Sequence, residues 1–273
     1  MDSLAIENTE LDVLLEAVFE RYGYDFRHYA RASLQRRIRG FMEKHGFKYL
    51  REMMARILAD KSVFETLVYA ISVSVTEMFR DPLVYLAIRE EVTEFLKTYP
   101  FIRIWHAGCA SGEEVYSLAI VLSEAGLYDR CQIYATDMNS VVLEKAKQGI
   151  YPAERLQEYT RNYRLSGGRE PFSTYYHAKY DSVIMNAGLK KRILFANHNL
   201  VTDSVFGEMN LVLCRNVLIY FDQHFQNRAL RLFYDSLVHK GYLCLGTKET
   251  IRYSEFNNRF KEIFAREKIY QRQ

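Results

Sequence analysis

Apolar positions in the first quarter of the chain recur at helical spacing. Leu11, Leu14, Leu15, Val18 and Phe19 form one stripe, and Leu34, Ile38, Phe41 and His45 form another. Gly23 and Gly46 punctuate the pattern, no proline precedes Pro82, and β-branched runs are absent. These features predict an all-helical domain over residues 1–72. Residues 73–98 read as a linker and a helix, with Asp81 as cap, Pro82 in the first turn and an end near Leu96.

Beyond Pro100 the pattern alternates. "FIRIWHA", "CQIYATD", "RILFANHNL", "MNLVLCRN", "YLCLGT" and "IFAREKIYQRQ" read as strands. "GEEVYSLAIVLSEAG", "NSVVLEKAKQG" and "DQHFQNRALRLFYDSLVHKG" read as helices closed by Gly126, Gly149 and Gly241. Repeated β-α-β units with continuous apolar strands predict an α/β domain over 99–273, with a mostly parallel sheet covered on both faces. The last two strands have no long helix between them and fit an antiparallel edge hairpin. Residues 155–190 break the alternation. Their tyrosine-rich "REPFSTYYHAKYDSV" follows Gly167 and Gly168 and reads as a small inserted β element.

Composition adds limits. The 273 residues are 49% hydrophobic and 26% charged, with a formal net charge of +3. That is ordinary globular composition, and the small charge gives no general case for nucleic acid or membrane binding. The acidic start "MDSLAIENTELD" lacks the apolar centre of a secretory signal, and no apolar run approaches the ~20 residues that span a bilayer, so a cytoplasmic location is expected. Cys109, Cys131, Cys214 and Cys244 form no CxxC pair and no zinc spacing, so they are expected to be reduced and buried, with no metal site. Charge is uneven within the helical part. From Arg21 to Arg56 basic residues far outnumber Asp25, Glu43 and Glu52. Arg36 and Arg39 fall opposite the Leu34–Ile38–Phe41 stripe, and Arg37 lies at its flank. They form either a plain solvated face or a docking surface for an acidic partner.

In open α/β sheets, ligands bind beyond the carboxyl ends of the strands. Gly108, Ala110, Ser111, Gly112, Glu113 and Glu114 follow the first strand, and Asp137 ends the second. Asn197, His198 and Asn199 follow the third, and Arg215, Asn216 and Tyr220 follow the fourth. Asp137 is placed either to accept ribose hydroxyls or to cap the next helix. The "GCASG" turn is a fragment of the dinucleotide fingerprint, without its full glycine set. Two carboxylates at the helix start would repel a pyrophosphate and suit a cationic ligand without phosphate, such as S-adenosylmethionine, although acidic residues also favour a helix N-terminus in themselves.

The motifs "SVTEMFRD", "AGCASGEEVYS", "ATDMNSVVLEKAKQGIY", "FANHNL" and "LVLCRNVLIYF" together carry a resemblance. Over essentially its whole length the chain resembles the CheR family, the chemoreceptor glutamate O-methyltransferases of bacterial chemotaxis. The resemblance implies a Rossmann-like class I S-adenosylmethionine-dependent methyltransferase sheet, an N-terminal helical domain and a small inserted β-subdomain. It places Ser74, Thr76 and Arg80 over the cofactor and reacting centre, with Gly108 and Ala110 also among the cofactor-binding residues. Either Glu113 or Glu114 contacts the cofactor, Asp137 binds its ribose, and Asn199 and Leu200 lie by the adenine. Arg215 and Asn216 frame the methionine end, and Tyr220 the target carboxylate. Arg80 and Tyr220 are the implied catalytic pair. S-adenosyl-L-homocysteine is the implied product. Arg36, Arg37 and Arg39 become docking residues for the cytoplasmic helical bundle of chemoreceptors, and the inserted β element a site for a receptor C-terminal segment. A monomer is expected, with neither nucleic acid nor membrane insertion. Met78 stands where an aromatic residue is usual, Val115 replaces a proline, and "LGTKE" lacks a histidine–serine pair. Two alternatives stay open: an NAD-dependent oxidoreductase and a non-catalytic receptor scaffold.

Overall fold

The structure, a computed structural model, describes residues 6–72 and 76–273. Its N-terminal part packs α1 (Asn8–Tyr22), α2 (Arg31–His45), α3 (Leu50–Ala59) and α4 (Lys61–Ile71). The two apolar stripes meet in one core, where Leu11, Leu14, Val18, Leu34, Ile38 and Phe41 are all buried. Gly23 and Gly46 take left-handed conformations that end α1 and α2. Asp60 caps α4 by accepting from Ser62 N at 3.0 Å.

The linker helix runs as α5 (Pro82–Ala87), a π-helical turn (Ile88–Val92) and α6 (Thr93–Lys97). Asp81 stands at its N-cap position with φ of 52°, but its side chain makes no cap hydrogen bond. The carboxylate is engaged elsewhere, as described below.

Next come β1 (Ile102–Ala107), α7 (Glu113–Glu124), β2 (Cys131–Asp137), α8 (Ser140–Gln148), β3 (Ile150–Pro152), α9 (Leu156–Leu165), β4 (Tyr176–Lys179), β5 (Ser182–Met185), β6 (Ile193–Asn197), β7 (Met209–Cys214), α10 (Gln223–Ser236), β8 (Leu237–Leu245), β9 (Phe260–Phe264) and β10 (Ile269–Arg272). The main sheet has seven strands in the order β6-β2-β1-β7-β8-β10-β9. The first five are mutually parallel, and β10 joins antiparallel to both β8 and β9. Alternation along β1 divides the core. Ile102 and Ile104 face one buried cluster, and Trp105 and Ala107 face the other.

Three readings of the sequence need adjustment. The helix expected to end at Gly241 stops at Ser236, because the chain enters β8 at Leu237 and pairs with β7 across a register irregularity. The segment expected as one final strand is the hairpin β9–β10, turning where Lys268 takes φ of 57°. The inserted sheet, in the order β3-β5-β4, starts at Ile150 rather than near residue 155. The first strand is too short to carry a periodic signal, and α9 separates it from its partners. Cys109, Cys131, Cys214 and Cys244 are buried and unpaired. Among the described residues no helix is long and apolar enough to cross a membrane, and no cluster of metal-binding side chains forms.

Candidate active site

A cavity lies beyond the carboxyl ends of β6, β2, β1 and β7. Its walls include Thr76, Arg80, His106, Gly108, Ala110, Glu114, Asp137, Asn199, Leu200, Arg215, Asn216 and Tyr220. The sheet thus gathers residues from every segment singled out in the sequence. Ser74 lies outside the described residues. The N-terminal domain closes one side with Phe26, Tyr29, Ser33, Leu34 and Arg37. That domain is held in place by backbone: Ala30 N donates to Tyr220 O at 2.8 Å and Asp222 N to His28 O at 2.9 Å. Tyr29 O–H also meets Met138 Sδ at 3.3 Å.

The turn after β1 depends on its glycines. Gly108 has φ of 73°, and a Cβ there would come within 2.5 Å of Val217 Cγ2. Gly112 has φ of 89°, and a Cβ there would meet Ala146 Cβ at 2.9 Å. Asp137 braces the turn, accepting from Ala110 N and from Asn139 N, each at 2.9 Å. The cap of α8 is Asn139, whose Oδ1 accepts from Val141 N at 3.0 Å. Capping therefore falls to Asn139, and Asp137 faces the cavity. Burial raises the Asp137 pKa, and backbone N–H donors from Asn139 and Ala110 work against that rise.

The adjacent glutamates diverge. Glu114 is 4% exposed, reaches the cavity, accepts from Tyr85 O–H at 3.0 Å and pairs with the Arg215 guanidinium. Glu113, 6% exposed, lies outside the cavity wall and accepts from Ser111 Oγ at 2.7 Å. Burial pushes its pKa up to about 7. The acidic helix mouth read from the sequence therefore offers little free negative charge. One carboxylate is neutralised by an arginine and the other is half protonated near neutral pH.

Arg215 is the hub of the site. Its side chain is 0% exposed. It donates to Arg80 O at 3.0 Å and to Asp81 Oδ2 at 2.7 Å, besides pairing with Glu114. Burial opposes its charge, but the carboxylates of Glu114 and Asp81 hold it protonated. Arg80 stands between Phe79 and Asp81, which take φ of 53° and 52°. Two left-handed non-glycine residues cost on the order of 1–2 kcal/mol each. Phe79 is fixed by burial, an edge contact with Tyr85 and its N–H bond to Ser117 Oγ at 2.9 Å; Asp81 is fixed by Arg215. The Arg80 guanidinium forms no ion pair with any described residue. It faces the cavity with Tyr220, whose ring lies 5.6 Å from the Arg37 guanidinium carbon. Burial raises the Tyr220 pKa, so its phenol stays a hydrogen-bond donor at neutral pH.

Of the three arginines expected to dock a partner, Arg36 is exposed, Arg39 is partly covered, and Arg37 reaches the cavity. Asn199 Oδ1 accepts from Val201 N at 2.9 Å and orders the loop carrying buried Leu200.

Two residues were not singled out from the sequence, although Glu249 ends the "LGTKE" motif. Glu249 is buried and accepts from Asn216 N at 3.0 Å, Ile219 N at 3.3 Å and Gly246 N at 2.6 Å. It thereby shapes the loop bearing Asn216 and Tyr220, with Asn216 at φ of 60°. His106 is a polar residue at the end of an apolar strand, and that position was the available clue. Buried polar atoms without a partner among the described residues cluster on the cavity wall: Asn216 Oδ1, Arg215 Nε, His198 Nδ1 and both His106 nitrogens. Such atoms are costly unless a polar ligand satisfies them.

Comparison with known proteins agrees with this geometry. Residues 9–72 match the family model described as CheR methyltransferase, all-alpha domain, and residues 74–269 match CheR methyltransferase, SAM binding domain. Cher3 of Pseudomonas putida is 46% identical over 267 residues, covering 97% of this chain and 98% of that protein. A chemotaxis protein methyltransferase of Listeria innocua is 30% identical, covering 84% of this chain and 85% of its own. Chemotaxis protein methyltransferase 1 of Pseudomonas aeruginosa is 31% identical over 79% of this chain and 80% of its own length. With both domains matched and the strand ends, glycine turn and arginine hub converging on one cavity, the chain belongs to the CheR methyltransferase family.

Proposed function

We propose that this protein methylates glutamate side chains of chemoreceptors in the cytoplasm, forming γ-methyl esters with S-adenosylmethionine as donor. The observation that carries the reading is Arg80. It is a cation without an ion-pair partner among the described residues, held beside Tyr220 in a cavity where several other polar wall atoms also lack partners among the described residues. The match to a SAM binding domain over residues 74–269 displaces the dinucleotide alternative.

The cavity suits this cofactor. Asp137 keeps acceptor capacity for ribose hydroxyls beside Ala110. Asn199 and Leu200 border the adenine end, and Thr76, Gly108, Glu114, Arg215 and Asn216 border the methionine end. Glu114 takes that role rather than Glu113, because only Glu114 reaches the cavity. When bound, S-adenosylmethionine supplies a methyl group already activated by its sulfonium.

No general base is needed. A glutamate side chain has a pKa of ~4.3 and is ionised at neutral pH. Arg80 holds one oxygen of the incoming carboxylate while the other faces the methyl donor, and Tyr220 donates to the same group. Arg37 adds positive potential from the N-terminal domain, so that domain takes part in the reacting centre as well as in docking. The strained turn at Phe79–Asp81 keeps Arg80 from collapsing onto a carboxylate of its own chain. Arg36 and Arg39 offer a basic face to an acidic receptor bundle, and the inserted sheet offers a site for a receptor tail. The reading is tested by incubating the protein with methyl-labelled cofactor and receptor cytoplasmic fragments. Base-labile methanol released from the fragments supports it, and stable label or none overturns it.

A further inference from the structure

We infer that His106 is a recognition residue for the amino-acid end of the cofactor, binding its ammonium and carboxylate through the two ring nitrogens. The inference rests on the methyltransferase reading above and adds to it a residue from β1.

The geometry of the sheet locates the contact. Strand order places β1 between β2, which ends in Asp137, and β7, which leads into Arg215. Asp137, with Asn199 and Leu200 beyond it, marks the nucleoside side of the cavity. Arg215, Asn216 and Arg80 mark the reacting side. His106, in register with Ala135 and Leu213, sits between them on the cavity wall. It lies on the β1 face that also carries Ile104, toward Glu114 on α7.

The side chain is 2% exposed, and neither ring nitrogen has a hydrogen-bond partner among the described residues. A buried imidazole with two idle nitrogens costs free energy in the empty protein. Packing alone at the end of Ile102–Ile104 would be better met by another aliphatic residue. Burial lowers the His106 pKa to about 4, so the ring is uncharged at neutral pH. A neutral imidazole offers one N–H donor and one lone-pair acceptor. An amino-acid zwitterion presents the complementary pair, a carboxylate that accepts and an ammonium that donates. The carboxylates beside it already share a cation, since Glu114 and Asp81 both pair with Arg215. An uncharged residue with both hydrogen-bonding polarities suits a ligand end that is itself neutral overall.

The test uses the full chain and two probes. S-adenosylhomocysteine carries the amino-acid end, and methylthioadenosine lacks it. Calorimetry measures both against wild type, His106→Leu and His106→Gln. The leucine variant should lose S-adenosylhomocysteine affinity roughly tenfold, as for one or two lost hydrogen bonds, with methylthioadenosine affinity unchanged. His106→Gln, which keeps a donor and an acceptor, should retain most of the affinity. Unchanged binding of both ligands by the leucine variant would overturn the inference, as would parallel loss of both, which marks a structural role. If His106→Leu fails to fold, His106→Phe, which keeps a ring but neither hydrogen-bonding group, takes its place with the same expected selective loss of S-adenosylhomocysteine, and unchanged binding or equal loss of both ligands overturns the inference. Wild type that binds neither ligand would bring down the methyltransferase reading itself, and this inference with it.

Discussion

Arg215 and Asp81 lie 134 residues apart in the chain and form an ion pair at 2.7 Å. Through this pair and the bond from Arg215 to the Arg80 carbonyl, the main sheet grips the linker on both sides of the Arg80 side chain. Asp81→Asn should loosen that grip while leaving the cavity walls intact. Misplacement of a positioning group by about 1 Å costs on the order of 100-fold in rate. Turnover should therefore slow by roughly 10- to 100-fold, with a much smaller change in cofactor affinity by calorimetry. Equal loss of both would show that the pair supports the pocket rather than Arg80.

The Glu114–Arg215 pair is buried on both sides, with side-chain exposures of 5% and 0%. Removing one partner leaves a poorly compensated charge, at a cost of about 3 kcal/mol. Glu114→Leu should show that loss in urea denaturation, moderated by the remaining Asp81. Pairing it with Arg215→Met should recover part of the loss, with a coupling of at least about 1 kcal/mol in the double-mutant cycle. Additive losses would mean the two side chains do not act as a unit.

Arginines on one helix should separate in their effects. Arg36→Glu with Arg39→Glu should raise the KM for receptor fragments about tenfold and leave cofactor affinity unchanged, with the effect shrinking at high salt. Arg37→Ala should instead slow turnover, because Arg37 stands over Tyr220 inside the cavity. Identical kinetic signatures for the two variants would contradict this division.

Glu113 predicts a pH dependence of stability. Its pKa rises from an ordinary 4.5 to about 7 in the fold. Between those values the folded protein binds more protons than the unfolded chain, so stability falls as pH rises from about 4.5 to 7 and is flat on either side. The total is up to roughly 3 kcal/mol. Glu113→Gln should remove this slope. Relative to wild type, the variant should gain stability as pH rises from about 4.5 to 7, and keep that gain above it, in urea denaturation. A parallel pH profile would contradict the burial argument.

Much of this architecture was legible because it rests on periodicity. The stripes at Leu11–Val18 and Leu34–Phe41 and the strands of 102–107 and 131–137 bury apolar side chains at regular intervals, and nothing overrides them. The chain went unread where contacts distant in sequence decide. Gly241 reads as a helix stop, but pairing with β7 claims the chain from Leu237 onward. Asp81 reads as a cap until Arg215 takes its carboxylate. Arg37 reads as the flank of a basic face until α2 is laid against Tyr220. Glu113 and Glu114 cannot be told apart by spacing, since only the approach of Arg215 to one and Ser111 to the other distinguishes them. His106 offers only its place at the end of an apolar strand as a clue, and its character shows in the lack of a partner among the described residues.

The central claim is methyl transfer to a receptor glutamate with Arg80 as orienting cation. It is tested most directly by methylation of receptor cytoplasmic fragments with wild type and Arg80→Ala in parallel, with fragment glutamates replaced by alanine as control. Wild type should transfer base-labile methyl groups that the control fragment does not accept. Arg80→Ala should lose at least about 100-fold in transfer while binding S-adenosylhomocysteine within a few-fold of wild type. Label that persists on the alanine control, or Arg80→Ala that transfers at the wild-type rate, would contradict the account.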